Sequence, residues 1–565
     1  MTLIELTDPA ASADNAPQHT PGERLPRWQV RFPLRRAIIA EVAATLAVVP
    51  LASRMPWWAL IPITVLVFVA VGLTYRGTTG WTWLTRARRV RRAQRNATVR
   101  QARGALPGPF EAELPGVGPG GLMWDGEYAI TMIALHGRQY APTVLVSEGA
   151  ESIDTVPLTV CGALLQQFGG LELHSIDTIS IGTRTAHDGQ FTGRYEETVA
   201  DRAAVGERRT WLVLRLRPTA CLDAMLYRHS VAEAIEAATE RVRQAAARAG
   251  CRAVTCSAEQ IRVATTTLLV GHDLADYQER WTDLRVGDDY VTPYRMSGAD
   301  LSTRVLNDVW TIRATKAVVL VRMTRHAQTG ELMVGALVRV HTPAHLTHPP
   351  LSTLQTVPGQ AFDVLVATLP LGDRSLRVPL SMRPLQSAPL PVQVGPTGFL
   401  HGMAEWSGVP LLLNWTDPLR FVRVAIAADL DVVQALVLRA TSAGATAEIH
   451  TVRPTRWQPI CDNIRISMAR NQERSKVATL IVADGSQPQQ VLRESGERGH
   501  ALVSVMRPDE ALPEDADICI RQVGPNHITV QTPARPRPMT LGIIRPRNEA
   551  HTLTHLLPPS RSPRR

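Results

Sequence analysis

Lysine is almost missing from this chain: Lys316 and Lys476 are the only two in 565 residues, and 59 of the 61 basic side chains are arginine. Neither lysine follows a glycine, so the Gly-Lys-Ser/Thr core of a phosphate-binding P-loop cannot occur and a Walker-type ATPase is excluded. A Gly-x-Ser-x-Gly elbow and a His-Glu-x-x-His zinc helix are absent too, which removes two common hydrolase signatures. Cysteine is sparse, six residues with no repeating pair motif, a usage that suits reduced thiols in the cytoplasm.

Arginine and two apolar runs dominate the N-terminal part. Ala37 to Ala52 and Trp57 to Leu73 are separated only by Ser53, Arg54, Met55 and Pro56, and each run is near the shortest length that spans a bilayer as a helix. Five arginines precede the first run (Arg24, Arg27, Arg31, Arg35, Arg36), nine follow the second by Arg103, and the turn holds only Arg54. Because Lys and Arg accumulate on the cytoplasmic side, this pattern predicts a transmembrane hairpin over 31–75, with helices at 37–53 and 57–74 and both termini cytoplasmic. Trp57 and Trp58 suit the outer interface, Trp81 and Trp83 the inner one. A cleaved signal peptide and a buried soluble hairpin compete with this reading; the second run that follows at once and the basic flanks weigh against them. Glu41, a carboxylate inside the first run, is expected either to pair with Arg36 or to serve helix docking.

The chain carries a net charge of +10. Fifteen arginines against five acids in residues 1–103 already supply that excess, and the remainder holds 46 residues of each sign. A nucleic-acid binder needs its positive charge on the folded domain that contacts phosphate, so the basicity fits membrane topology and anionic lipid headgroups, and no nucleic-acid partner is expected.

Beyond the membrane segment, 76–121 reads as a basic juxtamembrane helix and a Gly/Pro linker, the linker covering 104–121. Residues 122–530 read as one or two cytosolic α/β domains with room for a division near 330–400; 1–30 and 533–565 read as disordered tails, the second rich in Pro and Arg. Strands are expected at Glu127–Leu135, Pro142–Val146, Leu171–Ile181 and Ala478–Ala483. Two segments repeat the order strand, helix, glycine, strand: Arg208–Pro218 with Ala220–Ala249 and Gly250, and Arg420–Ala427 with Asp429–Ala443 and Gly444. That order predicts crossover units with glycine C-caps, either a duplicated module or one split sheet. The apolar, β-branched stretches Trp310–Thr324 and Leu332–Thr342 add antiparallel strands, giving an α/β class with a mixed sheet.

The constellations that could carry chemistry are weak. His341, His345 and His348 have short spacing but a Pro-rich context and no nearby Cys or carboxylate. Asp429 and Asp431 form an Asp-x-Asp pair of the kind that holds a metal and a sugar diphosphate, yet an aspartate opening a helix is more simply an N-cap. Asp515 and Asp517 share that spacing in an acidic loop, and Cys251 and Cys256 read as buried thiols. No catalytic, cofactor-binding or metal-binding residue is assigned.

Several blocks together resemble a known family. Gly121–Val146 (GLMWDGEYAITMIALHGRQYAPTVLV), Arg208–Pro218 with its helix and RAGCRAV, and Gly398–Ile449 are similar, in that order, to the EccE component of mycobacterial type VII (ESX) secretion systems. The N-terminal hairpin fits as well, and the resemblance covers most of residues 30–450. It implies a subunit of an inner-membrane protein-transport complex with EccB, the ATPase EccC and EccD, and a cytosolic domain with a glycosyltransferase-like fold. Two roles follow as expectations: a structural scaffold without enzymatic activity, or a membrane-anchored transferase using Asp429 and Asp431 on a lipid or nucleotide sugar.

Overall fold

The computed structural model describes residues 80–546 apart from 115–117, 147–148, 462–463, 470–477 and 486–498; before residue 80 it describes 28–30, 41–42, 45, 56, 61–62, 73–75 and 78–79. The expected hairpin lies almost wholly outside the described residues, as does the tail beyond 546. Among the described residues no helix is long and apolar enough to cross a membrane. Strands do lie at the margins of the apolar runs: Trp28–Val30 pairs antiparallel with Leu73–Tyr75, Trp28 opposite Tyr75 and Val30 opposite Leu73. Residues 73 and 74, expected in the second helix, and 28–30, expected in the tail, are therefore strand.

Two helices follow, Gly80–Arg95 (α1) and Ala97–Gly104 (α2). Asn96 separates them with an extended backbone, and its side-chain oxygen accepts from the Thr98 and Val99 N–H groups to cap α2. Much of the expected linker is a β-hairpin, Phe110–Leu114 (β1) with Gly118–Asp125 (β2). Its glycines answer to packing: a Cβ on Gly120 would strike the Glu236 carboxylate, and one on Gly121 would meet the Ser257 backbone at 2.5 Å.

The first sheet has thirteen strands among the described residues, every pair antiparallel. Its principal strands are β1, β2, Tyr128–His136 (β3), Leu173–Thr183 (β6), Glu207–Leu216 (β7), Arg252–Thr255 (β8), Gln278–Glu279 (β9), Leu284–Val286 (β10), Asp289–Met296 (β11), Lys316–Arg325 (β12) and Leu332–Thr342 (β13). They run β9-β10-β11-β13-β12-β6-β7-β3-β2-β1, and β8 pairs with β3 beside β2. Both faces are covered, so β3 and β12 read as near-continuous apolar runs. On β7 the side chains alternate: Leu212, Leu214 and Leu216 enter one core, Trp211 and Val213 the other.

The strands labelled β4 (Thr143–Val146) and β5 (Gly149–Glu151) leave this sheet and join the second. There they meet Phe399–Ala404 (β14), Pro410–Leu413 (β15), Val422–Ala427 (β16), Ala447–Thr451 (β17), Ile466–Met468 (β18), Leu480–Asp484 (β19), Ala501–Met506 (β20), Ile518–Gly524 (β21), His527–Thr532 (β22) and Arg535–Gly542 (β23). The order is β18-β17-β19-β20-β16-β21-β22-β23-β14-β15-β4-β5, parallel from β18 to β21 and antiparallel beyond. Residues 535–542, expected in a tail, are thus a strand inside a sheet.

Both strand-helix-glycine-strand units form. In the first, β7 leads through Val231–Arg248 (α3) to β8; both strands are antiparallel to β3, which lies between them, so the two are parallel and split. In the second, β16 leads through Leu430–Ser442 (α6) to β17, with β20 and β19 between. Gly250 and Gly444 carry the positive φ (99° and 130°) that the turn after each helix needs. They belong to two different sheets, one antiparallel and one mixed. The sheets share a hydrophobic core that reaches from Ala112 to Leu541. They touch where Gly206 faces the Ala443 carbonyl at the end of α6, an approach that leaves no room for a Cβ, and where the Ala186 N–H donates to Ser442 at 2.8 Å.

Candidate functional site: a basic arm held against the antiparallel sheet

The residues singled out in the sequence do not converge. His341 is buried on β13, its Nε2 3.3 Å from Arg339, and burial, then the arginine, drives its pKa far below the usual value. His345 turns to Asp283 at 3.1 Å and His348 to the Thr347 hydroxyl at 2.9 Å. Asp429 does occupy the N-cap position of α6, but its carboxylate makes no capping bond; it accepts from Gln522 at 3.0 Å instead. Asp431 lies 3.8 Å from Arg545, Asp517 accepts from Arg420 and from the Arg423 N–H, and Asp515 lies 3.5 Å from Arg423. Asp429 and Asp431 thus turn to different partners, Gln522 and Arg545. Cys251 and Cys256 are buried, as expected, and Glu41 is exposed. Among the described residues no three His, Cys, Asp or Glu side chains gather closely enough to hold a metal ion.

What the structure does assemble is the basic segment. Helices α1 and α2 form an arm that lies on the first sheet, near β9 and Ala361–Ala367 (α5), with Val90 and Ala93 buried beneath it. Trp83 meets Trp281 at 5.3 Å between ring centroids. The Gln94 amide donates to the Glu279 carbonyl at 2.9 Å, and Arg374 donates to the Arg103 carbonyl at 3.2 Å. Arg103 is the central clamp: it bonds Glu279 at 2.7 Å and lies 4.0 Å over the Phe362 ring. Arg89 reaches Asp363 at 2.6 Å, but it is half exposed and contributes little, whereas Glu279 is 2% exposed and depends on its partner. Burial pushes the Glu279 carboxyl above its ordinary value even with Arg103 beside it.

Under the arm, α5 and the turn after it are tied to the middle of the sheet. Asp177 on β6 is enclosed by Arg215 of β7 at 2.5 Å and Arg322 of β12 at 2.7 Å. Arg215 also donates to the Leu371 carbonyl at 2.5 Å, and Arg322 to that of Ser375 at 3.2 Å. Sequence reasoning missed this group, although each of these three apolar strands carries a charge, which a buried strand tolerates only if it is paired.

These features define a two-sheet α/β protein in which an arginine-rich N-terminal arm is part of the folded body. Residues 204–296, from just before β7 to the end of β11, match the family "EccE: Putative type VII ESX secretion system translocon, EccE". The chain is 28% identical over 347 residues to the ESX-2 secretion system protein EccE2 of Mycobacterium tuberculosis, covering 60% of this chain and 62% of that relative. It is 24% identical over 350 residues to EccE5 of Mycobacterium marinum, 59% of this chain and 84% of the relative, and 26% identical over 311 residues to EccE1 of M. tuberculosis, 52% and 61%. Residues 204–296 thus match the EccE family model, and the chain is similar to EccE proteins at modest identity over up to about 60% of its length.

Proposed function

We propose that this chain is a structural subunit of a type VII (ESX) secretion complex of the cell inner membrane, where it stabilises the assembly at its periphery beside EccB, the ATPase EccC and EccD. The EccE domain at 204–296 is the observation that carries this reading. The apolar runs, 37–53 and 57–72, form the membrane hairpin in this reading, with both termini cytoplasmic. Pairing of Trp28–Val30 with Leu73–Tyr75 supports that topology, because it brings the two flanks of the runs to one place. Val42 and Ile61, helical and more than half exposed, support it as well, as apolar surface that lipid or a neighbouring helix would cover. In this reading the arm transmits the position of the hairpin to the cytosolic sheets, and its arginines face anionic lipid.

The test is extraction of the tagged full chain from its native membranes in mild detergent, followed by native mass measurement. Recovery with the other ESX components is expected; a lone monomer would overturn the proposal. Alkaline carbonate should leave the chain in the membrane pellet. Replacing Arg35 and Arg36 by neutral residues should change protease access to the C-terminal sheets, and unchanged access would refute their role in orientation.

A further inference from the structure

Between the arm and α5 lies a cleft of about 480 Å³, and its charged lining is five arginines, Arg89, Arg92, Arg103, Arg374 and Arg377, against the single carboxylate of Asp363. Asp363 is already engaged by Arg89 at 2.6 Å, with Arg103 at 3.8 Å. Outside the lining, Arg103 pairs with Glu279, Arg374 lies 3.7 Å from Asp125 and Arg377 bonds Asp373 at 2.7 Å, but Arg92 makes no ion pair among the described residues and the buried Nη2 of Arg103 has no hydrogen-bond partner. Guanidinium donors therefore outnumber acceptors in a concave site, an arrangement that recognises phosphate oxygens. Phe362 and Val366 give the same cleft an apolar side.

We propose that this cleft binds the phosphate headgroup of an anionic membrane phospholipid, with the apolar wall against the glycerol and first methylenes. Position selects a lipid over free phosphate. Arg92 lies twelve residues into the helical arm from Gly80, about 20 Å along its axis, and Gly80 follows closely on the strand that borders the second apolar run. The outward face of α1 begins with Trp81 and Leu84, both exposed, and continues with Arg88, Arg91 and Arg95 at helical spacing, a face suited to lie in a bilayer interface. Arg92 has no ion pair to give up, and Arg377 holds only Asp373, at 2.7 Å in a pair exposed to solvent, so neither fixes the arm and both can turn to a ligand.

The inference rests on the membrane reading above only for the source of the ligand. It is tested on the full chain in neutral detergent by native mass spectrometry, counting adducts during titration with dioleoyl phosphatidylglycerol, dioleoyl phosphatidylcholine or inorganic phosphate. The expected result is a preference for phosphatidylglycerol over phosphatidylcholine that falls about tenfold in R92Q/R377Q and persists in R88Q/R91Q, which removes equal charge outside the cleft. Retention of the preference in R92Q/R377Q, equal loss in both pairs, or inorganic phosphate binding as tightly as the lipid would each overturn it. Thermal unfolding of both variants checks that the fold is intact. Carbonate extraction reports on the hairpin independently, so failure of membrane anchoring and failure of this site are separable.

Discussion

Arg215 donates to the Asp177 carboxylate at 2.5 Å with neither side chain exposed, and Arg322 closes on the same carboxylate from the neighbouring strand on the other side. Burial alone would raise the Asp177 pKa; the two arginines reverse that and hold it below the ordinary value. The sign follows: stability from this carboxylate is present above the unfolded aspartate pKa, about 3.9, and is lost as pH falls through the lower folded value. Asp177→Ala strands two buried cations and should cost about 3–5 kcal/mol in urea unfolding at pH 7, with the deficit relative to wild type shrinking in strong acid.

Glu236 behaves in the opposite sense. It is buried on α3 beneath Gly120, its Oε1 has no hydrogen-bond partner, and burial, then Glu111, pushes its pKa from 4.5 to about 7. A raised carboxylate pKa makes the contribution complete below the unfolded value and lost as pH rises through the folded one. Glu236→Gln should therefore be more stable than wild type at pH 8 and close to it at pH 4.5, measured by thermal melts across that window.

The arm should loosen when its clamp is removed. Arg103→Ala leaves Glu279 buried without its cation and should cost about 3 kcal/mol, while Arg89→Ala at the half-exposed pair should cost under about 1 kcal/mol. Limited trypsin digestion read by mass should cut α1 and α2 faster in Arg103→Ala than in Arg89→Ala. Equal rates would show that the remaining contacts, Trp83 with Trp281 and Gln94 with the Glu279 carbonyl among them, hold the arm without the clamp.

Gly206→Ala places a methyl against the Ala443 carbonyl where the two sheets meet. The expected loss is about 1–3 kcal/mol with a lower melting temperature, since a backbone neighbour cannot turn aside as a side chain can.

Burial pushes the thiols of Cys161 and Cys256 to about 12 and that of Cys251 to about 11. A thiol-reactive chromophore at pH 8 should titrate these three only after denaturation, with Cys461 and Cys519, which are partly exposed, reacting first.

The strands β3, β6, β12 and β13 are legible in the sequence because long β-branched and apolar stretches meet turn residues at both ends. Gly250 and Gly444 mark both crossover units for a similar local reason, a backbone turn that favours glycine. What lay hidden was non-local. Asp177, Arg215 and Arg322 are brought together across 38 and 145 residues of chain, and no local pattern names partners that far apart. The misread strand β23 has another cause: Pro536 and Pro538 are tolerated because β14 pairs only with its last residues, Leu541 and Gly542, leaving the proline positions without a neighbour on that side. Among the site residues, the arm's basic character was visible, but its clamps, Glu279 and Asp363, sit in segments with no distinguishing pattern.

The pair β4 and β5 comes from the N-terminal half and is hydrogen-bonded to β15 in the C-terminal sheet. The two lobes are in effect stitched, and a fragment starting near residue 398 would lack the strands that close its sheet edge. One run of contacts leads from α1 and α2 through Arg103 and α5 to the Asp177 group, and β3, paired with β7 there, continues along the chain to β4, so the basic arm and the second sheet are two ends of one connected scaffold.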